Sequence, residues 1–304
     1  MTTDWILQQL INGLALGAIY ALIALGYTMV YGVLRFINFA HSDVLMLGAF
    51  AAYYLTKNIP ALATPGVGNA LIVILLSAAI CAIIGMTIEF LAYRPLRKRP
   101  RLTVLITAIG VSLFIEFTGQ HEKVFGAATK PFPQLLPTTD VALWGLHISS
   151  NDLVVLLLTG ILLLALWYIV QRTKIGMAMR AVSYNEQAAA LMGVNVNGII
   201  SFTFALGSAL AAVAGIFYSM RSPGIEPLMG IQPGLRAFIA AVLGGIGNLP
   251  GAALGGVVLG LLETFFGGLP GLSSYRDGIA FALLILILMF RPAGLLGKLQ
   301  PEKV

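Results

Sequence analysis

The stretch "INFAHSDVLM" (37–46) places Asn38, His41, Ser42 and Asp43 within six residues of one another, between two long apolar runs. A polar turn between two membrane helices would account for it. So would a broken helix that carries polar groups to a path through the membrane. Both readings require a bilayer around the stretch, and the composition supplies one. Of the 304 residues 59% are hydrophobic and only 10% charged, with a mean hydropathy of +0.93. A soluble domain carries about 25% charge, so an ordinary globular protein is excluded.

A helix crosses a bilayer with about 20 apolar residues. Working outward from 37–46, the runs that qualify are roughly 5–33, 38–56, 69–93, 102–120, 151–171, 198–218, 235–267 and 276–290. The expected fold is an all-α polytopic membrane protein with about eight transmembrane helices. Seven to ten are possible, according to how 5–56 and 235–267 are counted. Broken or re-entrant segments are expected near 35–45 and 244–251. The chain reads as a single transmembrane domain over 1–304.

Positive charge orients the bundle. "RPLRKRPR" (94–101) is the strongest cytoplasmic signal, with Arg172, Lys174 and Arg180 in a loop at 172–197, and Arg291, Lys298 and Lys303 at the C-terminus. Segments 57–68, 121–150 and 219–234 read as external, and counting back puts the N-terminus outside. The net charge of +6 does not point to nucleic acid, because it collects where helices leave the membrane. Met1–Asp4 has no Lys or Arg, so a cleavable signal is not expected and the first helix reads as retained. Cys81 is the only cysteine and lies in an apolar run, which implies neither a disulfide nor a metal site.

Three stretches carry chemistry. In the first, Asn38, Ser42 and Asp43 are capping types, and explain a helix that ends near Ile37 and restarts near Val44. His41 is not needed for capping, and an ionisable residue at membrane depth is a functional candidate. The second is "SYNEQAAALMG" (183–193). Ser183 and Glu186 have capping-box spacing, Ala188, Ala189, Leu191 and Met192 favour helix, and Gly193 is a C-terminal stop. That predicts a short cytoplasmic helix of about nine residues, lying in the headgroups or docked into a partner. The third is "LGGIGNLPGAALGGVVLG" (243–260). Its Gly251/Gly255 and Gly256/Gly260 spacings allow close helix approach, and Asn248 with Pro250 marks a restart. Discontinuous helices of this kind mark substrate sites in transporters, which makes Gly244, Gly245, Gly247 and Asn248 path candidates beside Asn38, His41, Ser42 and Asp43. Glu89, Glu116, Arg236 and Glu263 are the other charges close to or within apolar runs.

The sequence lacks a G-x-x-x-x-G-K-[ST] phosphate loop and an H-E-x-x-H metal motif. No histidine stands at the depth of Ser208 to activate it. An intramembrane enzyme is poorly supported, and any ATP-driven work would need a separate ATPase.

"YALIALGYTMVYGVLRFINFAHSDVLMLGA" (20–49), "RAVSYNEQAAALMGVN" (180–195) and "GLRAFIAAVLGGIGNLPGAALGGVVLG" (234–260) together closely resemble the permease subunit of bacterial branched-chain amino acid ABC transporters, the LivH type. The resemblance runs from about residue 5 to 297. It departs at Ser42, where the family usually has Gly, and at Gln187, which replaces the first Ala of an E-A-A…G docking sequence. It implies an inner-membrane importer subunit with no cofactor of its own. The implied partners are a second permease, two ATP-binding-cassette subunits that hold the ATP, and a periplasmic binding protein. It also implies that Ser183–Gly193 is the coupling helix. An ion-coupled secondary carrier working alone is the alternative.

Overall fold

A computed structural model describes residues 3–97, 99–137, 140–143, 146–271 and 273–297. Lys98, Lys298 and Lys303, used above for orientation, lie outside these. Apolar runs without Pro form the long helices: α1 (Thr3–Leu34), α2 (His41–Asn58), α3 (Val67–Ile88), α4 (Arg101–Gln120) and α5 (Ser150–Arg172). The chain continues through α6 (Lys174–Tyr184), α7 (Glu186–Leu191), α8 (Val196–Arg221), α9 (Ile231–Gly244), α10 (Leu249–Gly267) and α11 (Arg276–Phe290). A π turn at Glu89–Tyr93 and a 3-10 turn at Arg94–Leu96 extend α3. The loop between α4 and α5 carries strand β1 (Lys130–Pro131) and a hairpin of β2 (Asp140–Leu143) with β3 (Leu146–Ser149). β1 pairs antiparallel with β4 (Gly224–Ile225).

Among the described residues seven helices are long and apolar enough to cross a membrane. They account for seven of the eight expected runs. The eighth, 38–56, is α2: it starts at His41 rather than within the apolar pattern, and His41, Asp43 and Lys57 lower its hydropathy. Region 235–267 is two helices, α9 and α10, with a break at 245–248.

α1 is the axis of the bundle. Its residues from Gly17 to Val30 are buried on every side, so it reads as apolar all round rather than amphipathic. Small residues make this possible, since helices in lipid associate through close van der Waals packing. A Cβ on Gly17 would stand 2.7 Å from the Val257 Cα, and one on Gly13 would stand 2.9 Å from the Leu261 Cα. On α10, Gly256 and Gly260 pack against α1, while Gly251 and Gly255 pack against α9. The two glycine spacings read from the sequence therefore serve two different neighbours. α3, α4, α5 and α11 form the outside and present apolar faces, including Phe114, Phe117, Leu164 and Met289.

Candidate functional site

The break between α1 and α2 begins at Arg35, whose φ of 56° is the one positive value at a non-glycine among the described residues. That left-handed conformation ends α1 and costs on the order of 1–3 kcal/mol, which the surroundings must hold in place. The chain then doubles back. α2 starts at His41, beside Gly26 and Tyr27, with the imidazole edge-on to the Tyr27 ring at 4.7 Å. Gly26 is eight residues before Leu34, so α2 starts about 12 Å inside the end of α1 at 1.5 Å per residue. A Cβ on Gly26 would fall on the His41 ring, so glycine is required there. His41 is 2% exposed and its Nε2 has no hydrogen-bond partner among the described residues.

The capping roles expected of Asn38, Ser42 and Asp43 do not form. Ala40 occupies the N-cap position and offers no side-chain bond. The backbone supplies the turn instead, through His41 N–H to the Asn38 carbonyl at 3.2 Å and Val44 N–H to the Ala40 carbonyl at 3.1 Å. Because the turn is buried, the side chains of Asn38 and Asp43 find tertiary partners, while Ser42 bonds within the turn. Tyr93 Oη donates to Asn38 Oδ1 at 2.6 Å, Ser112 Oγ donates to Asp43 Oδ2 at 2.6 Å, and Ser42 Oγ donates to the Phe39 carbonyl at 2.9 Å. Glu116 is also buried and acts electrostatically on Asp43, so two buried carboxyls approach each other between α2 and α4. The start of α9 closes the other side, where Gly230 and Gly234 lie against Ser42. Sequence reading missed that pair, although its small-x-x-x-small spacing is a packing signal. It also missed Tyr27, Tyr93 and Ser112.

The second predicted break has the expected chemistry. Gly245 and Gly247 adopt φ of 105° and 92°, and Asn248 caps α10 by accepting from Gly251 N–H at 3.3 Å. Its place differs from that of the first. Leu295 and Leu296 donate backbone bonds to Leu243 and Gly244, and Asn248 Nδ2 donates to the Leu296 carbonyl at 2.6 Å. Gly247 faces Gly32, six residues beyond Gly26, so the two groups of path candidates sit about 9 Å apart along α1. Gly244, Gly245, Gly247 and Asn248 are clasped by the segment after α11 and do not join Asn38–Asp43.

The short helix expected at 183–193 is also rearranged. Ser183 lies in α6 and its Oγ donates to the Gly32 carbonyl, so no Ser183–Glu186 capping box forms. Asn185 is the cap: its extended backbone separates α6 from α7, and its Oδ1 accepts from Ala188 N–H at 3.0 Å. α7 has six residues rather than about nine. Gly193, at φ 83°, ends it as expected. Ala189 is buried, while Leu191 and Met192 are 89% and 84% exposed. Arg35 donates to the Ser183 carbonyl at 3.4 Å. The end of α6 is thus bonded to α1 just where α1 breaks.

A family model described as "Branched-chain amino acid transport system / permease component" matches residues 9–288. The chain belongs to this family. It is 42% identical to the high-affinity branched-chain amino acid transport system permease protein BraD of Pseudomonas aeruginosa, over 98% of each chain. It is 38% identical to LivH of Escherichia coli K12, a permease protein described in the same terms, over 99% of this chain and 98% of that one. A shorter match, 37% identical over 42% of this chain, is to the ribose import permease protein RbsC of Escherichia coli K12. No solved structure matches the chain.

In this permease-family chain the remaining buried charges are paired. Glu89 is fully buried and accepts from Arg94 Nη2 at 2.9 Å, Arg97 Nη2 and Ser201 Oγ at 2.6 Å. Glu263 accepts from Tyr20 Oη at 2.7 Å and pairs with Arg236 at 2.9 Å, and Arg236 reaches Asp277 at 2.7 Å. Charges this deep persist only when paired and hydrogen-bonded. Both clusters tie together helices far apart in sequence. Among the described residues no group of three or more His, Cys, Asp or Glu is arranged to hold a metal ion.

Proposed function

We propose that the chain is the membrane-spanning subunit of an ATP-driven importer of branched-chain or related amino acids in the bacterial inner membrane. The whole chain acts as one transmembrane domain. Its partners are a second permease, two ABC ATPase subunits that bind and hydrolyse the ATP, and a periplasmic binding protein. The observation that carries the reading is the bonded joint between α6 and α1. Ser183 donates to Gly32 and Arg35 donates to Ser183, with α7 directly beyond. An ATPase that grips the exposed Leu191 and Met192 would pull on α7. α6 would transmit that pull to the end of α1, and so to the turn at Asn38–Asp43, which lines the path next to the second permease. Gly244–Asn248 acts as the hinge at the cytoplasmic end of α9 and α10.

The test is to tag the C-terminus, solubilise native membranes gently and identify what co-purifies in fixed ratio by mass spectrometry. Two ATPase chains and a second permease are expected, with ATP-dependent uptake after reconstitution. Ion-driven uptake by the isolated chain would overturn the importer and favour a secondary carrier.

A further inference from the structure

A cavity of about 240 Å³ opens between the end of α1, the turn before α4 and the end of α6. It lies below the ~300–1,000 Å³ of pockets for drug-sized ligands, so it fits a small solute. Three arginines line it, Arg35, Arg97 and Arg99, together with one acidic residue, Glu186. Arg97 forms a fixed part of the wall. Its side chain is 10% exposed, held by Glu89 and by the Asn197 side-chain oxygen at 2.8 Å, and its Nε is buried with no partner among the described residues. Val33, Phe36, Val104 and Val182 supply an apolar wall. Arg35, whose positive φ ends α1, stands at its rim.

Arginine donors, an acidic acceptor and aliphatic side chains lining one cavity are the complements of a carboxylate, an ammonium and an apolar side chain on one carbon. We infer that this cavity binds a free α-amino acid with an apolar side chain, taken from the cytoplasm. Arg35 and Arg99 hold its carboxylate and Glu186 holds its ammonium. The pocket chemistry carries this independently of the importer reading. Joined to that reading, it makes the site a place where accumulated cargo acts on the Ser183–Arg35 joint and slows further import. A bound amino acid would bridge α7, through Glu186, to the turn before α4, through Arg99, and hold the joint in one arrangement.

The test is equilibrium dialysis of labelled L-leucine against the purified full chain in detergent, with no binding protein present. Variants Arg99→Gln and Glu186→Gln are compared with the parent, and 4-methylpentanoate, inorganic phosphate and anionic-lipid micelles serve as competitors. One site per chain is expected, weakened about ten-fold in Arg99→Gln, as for loss of a hydrogen bond to a charged group. Leucine should outcompete 4-methylpentanoate, which lacks the ammonium, and Glu186→Gln should abolish that preference. Arg99 is exposed, so its variant tests binding without disturbing the core. Leucine binding that is absent, or equal in all three proteins, overturns the assignment. Phosphate or lipid headgroups that displace leucine at lower concentration would overturn it too, and make the cavity an anion site. None of these outcomes depends on transport, so the importer reading stands or falls separately.

Discussion

Replacing Glu89 with Gln keeps the side-chain shape and removes its charge. Glu89 is fully buried and accepts from two guanidinium groups and one hydroxyl, at the π turn where α3 leaves the bundle. The two arginines do not suffer equally. Arg94 is 31% exposed and lies over the Phe90 ring at 4.7 Å, so it relaxes toward solvent, and its share is about 0–1 kcal/mol. Arg97 is 10% exposed and loses the carboxylate that holds its Nη2. Breaking a buried pair from one side costs about 3–5 kcal/mol, and nearly all of that is expected here. The measurement is equilibrium unfolding in mixed micelles for the parent, Glu89→Gln, Arg97→Met and the double variant. Removing both charges leaves no orphan, so the double variant should recover at least about 2 kcal/mol relative to Glu89→Gln alone. A single variant that costs less than about 1 kcal/mol, or a double variant no better than the single, would refute the account of Arg97 as the group that needs Glu89.

Gly26→Ala drives a methyl into the His41 ring and should cost about 1–3 kcal/mol of stability in the same unfolding assay, with His41→Ala in the same chain relieving most of it. His41→Ala alone should lower uptake with assembly unchanged; unchanged uptake would leave His41 as packing. Gly193→Val forces a β-branched residue to φ 83° at the end of α7, so ATP hydrolysis in the assembled importer should continue while uptake falls several-fold, read as transported substrate per ATP. Asp152→Ala removes an ion pair to Arg221 whose partners are 18% and 30% exposed, and should cost under about 1 kcal/mol.

How much of this was legible in the sequence depends on which interactions are local. Helix existence follows from apolar runs, and Gly193, Asn248 and Pro250 ended or began helices as their backbone preferences dictate. The α1–α2 turn was legible as a break but not as a geometry. Capping rules assume that a helix start must satisfy its own amides, whereas here the polar groups of Asn38 and Asp43 are claimed by Tyr93 and Ser112, 55 and 69 residues away. Ser183 failed as a cap for the same reason, since its hydroxyl is spent on Gly32. Asn185, two residues on, has equal capping chemistry, and its side-chain oxygen accepts from Ala188 N–H, so it is the cap. The pairing of Glu89 with the "RPLR" stretch is near in sequence, yet nothing in apolar periodicity marks a π turn that swings both arginines onto one carboxylate.

These particulars converge on α1. Gly26 accommodates His41, Gly32 faces Gly247 and accepts from Ser183, and Arg35 donates to Ser183. Residues 26 to 34 span about 12 Å, short enough that this stretch of helix moves as one body. The α1–α2 turn, the α9–α10 break and the end of α6 are therefore three attachments to one segment of α1. A displacement at α7 cannot reach His41 without also moving the contact at Gly247, because both are contacts of the same short stretch of α1. The small residues at 26, 32, 230, 234 and 247 let these contacts be close. Close contacts between backbones transmit a shift of an ångström that longer side chains would absorb by changing rotamer.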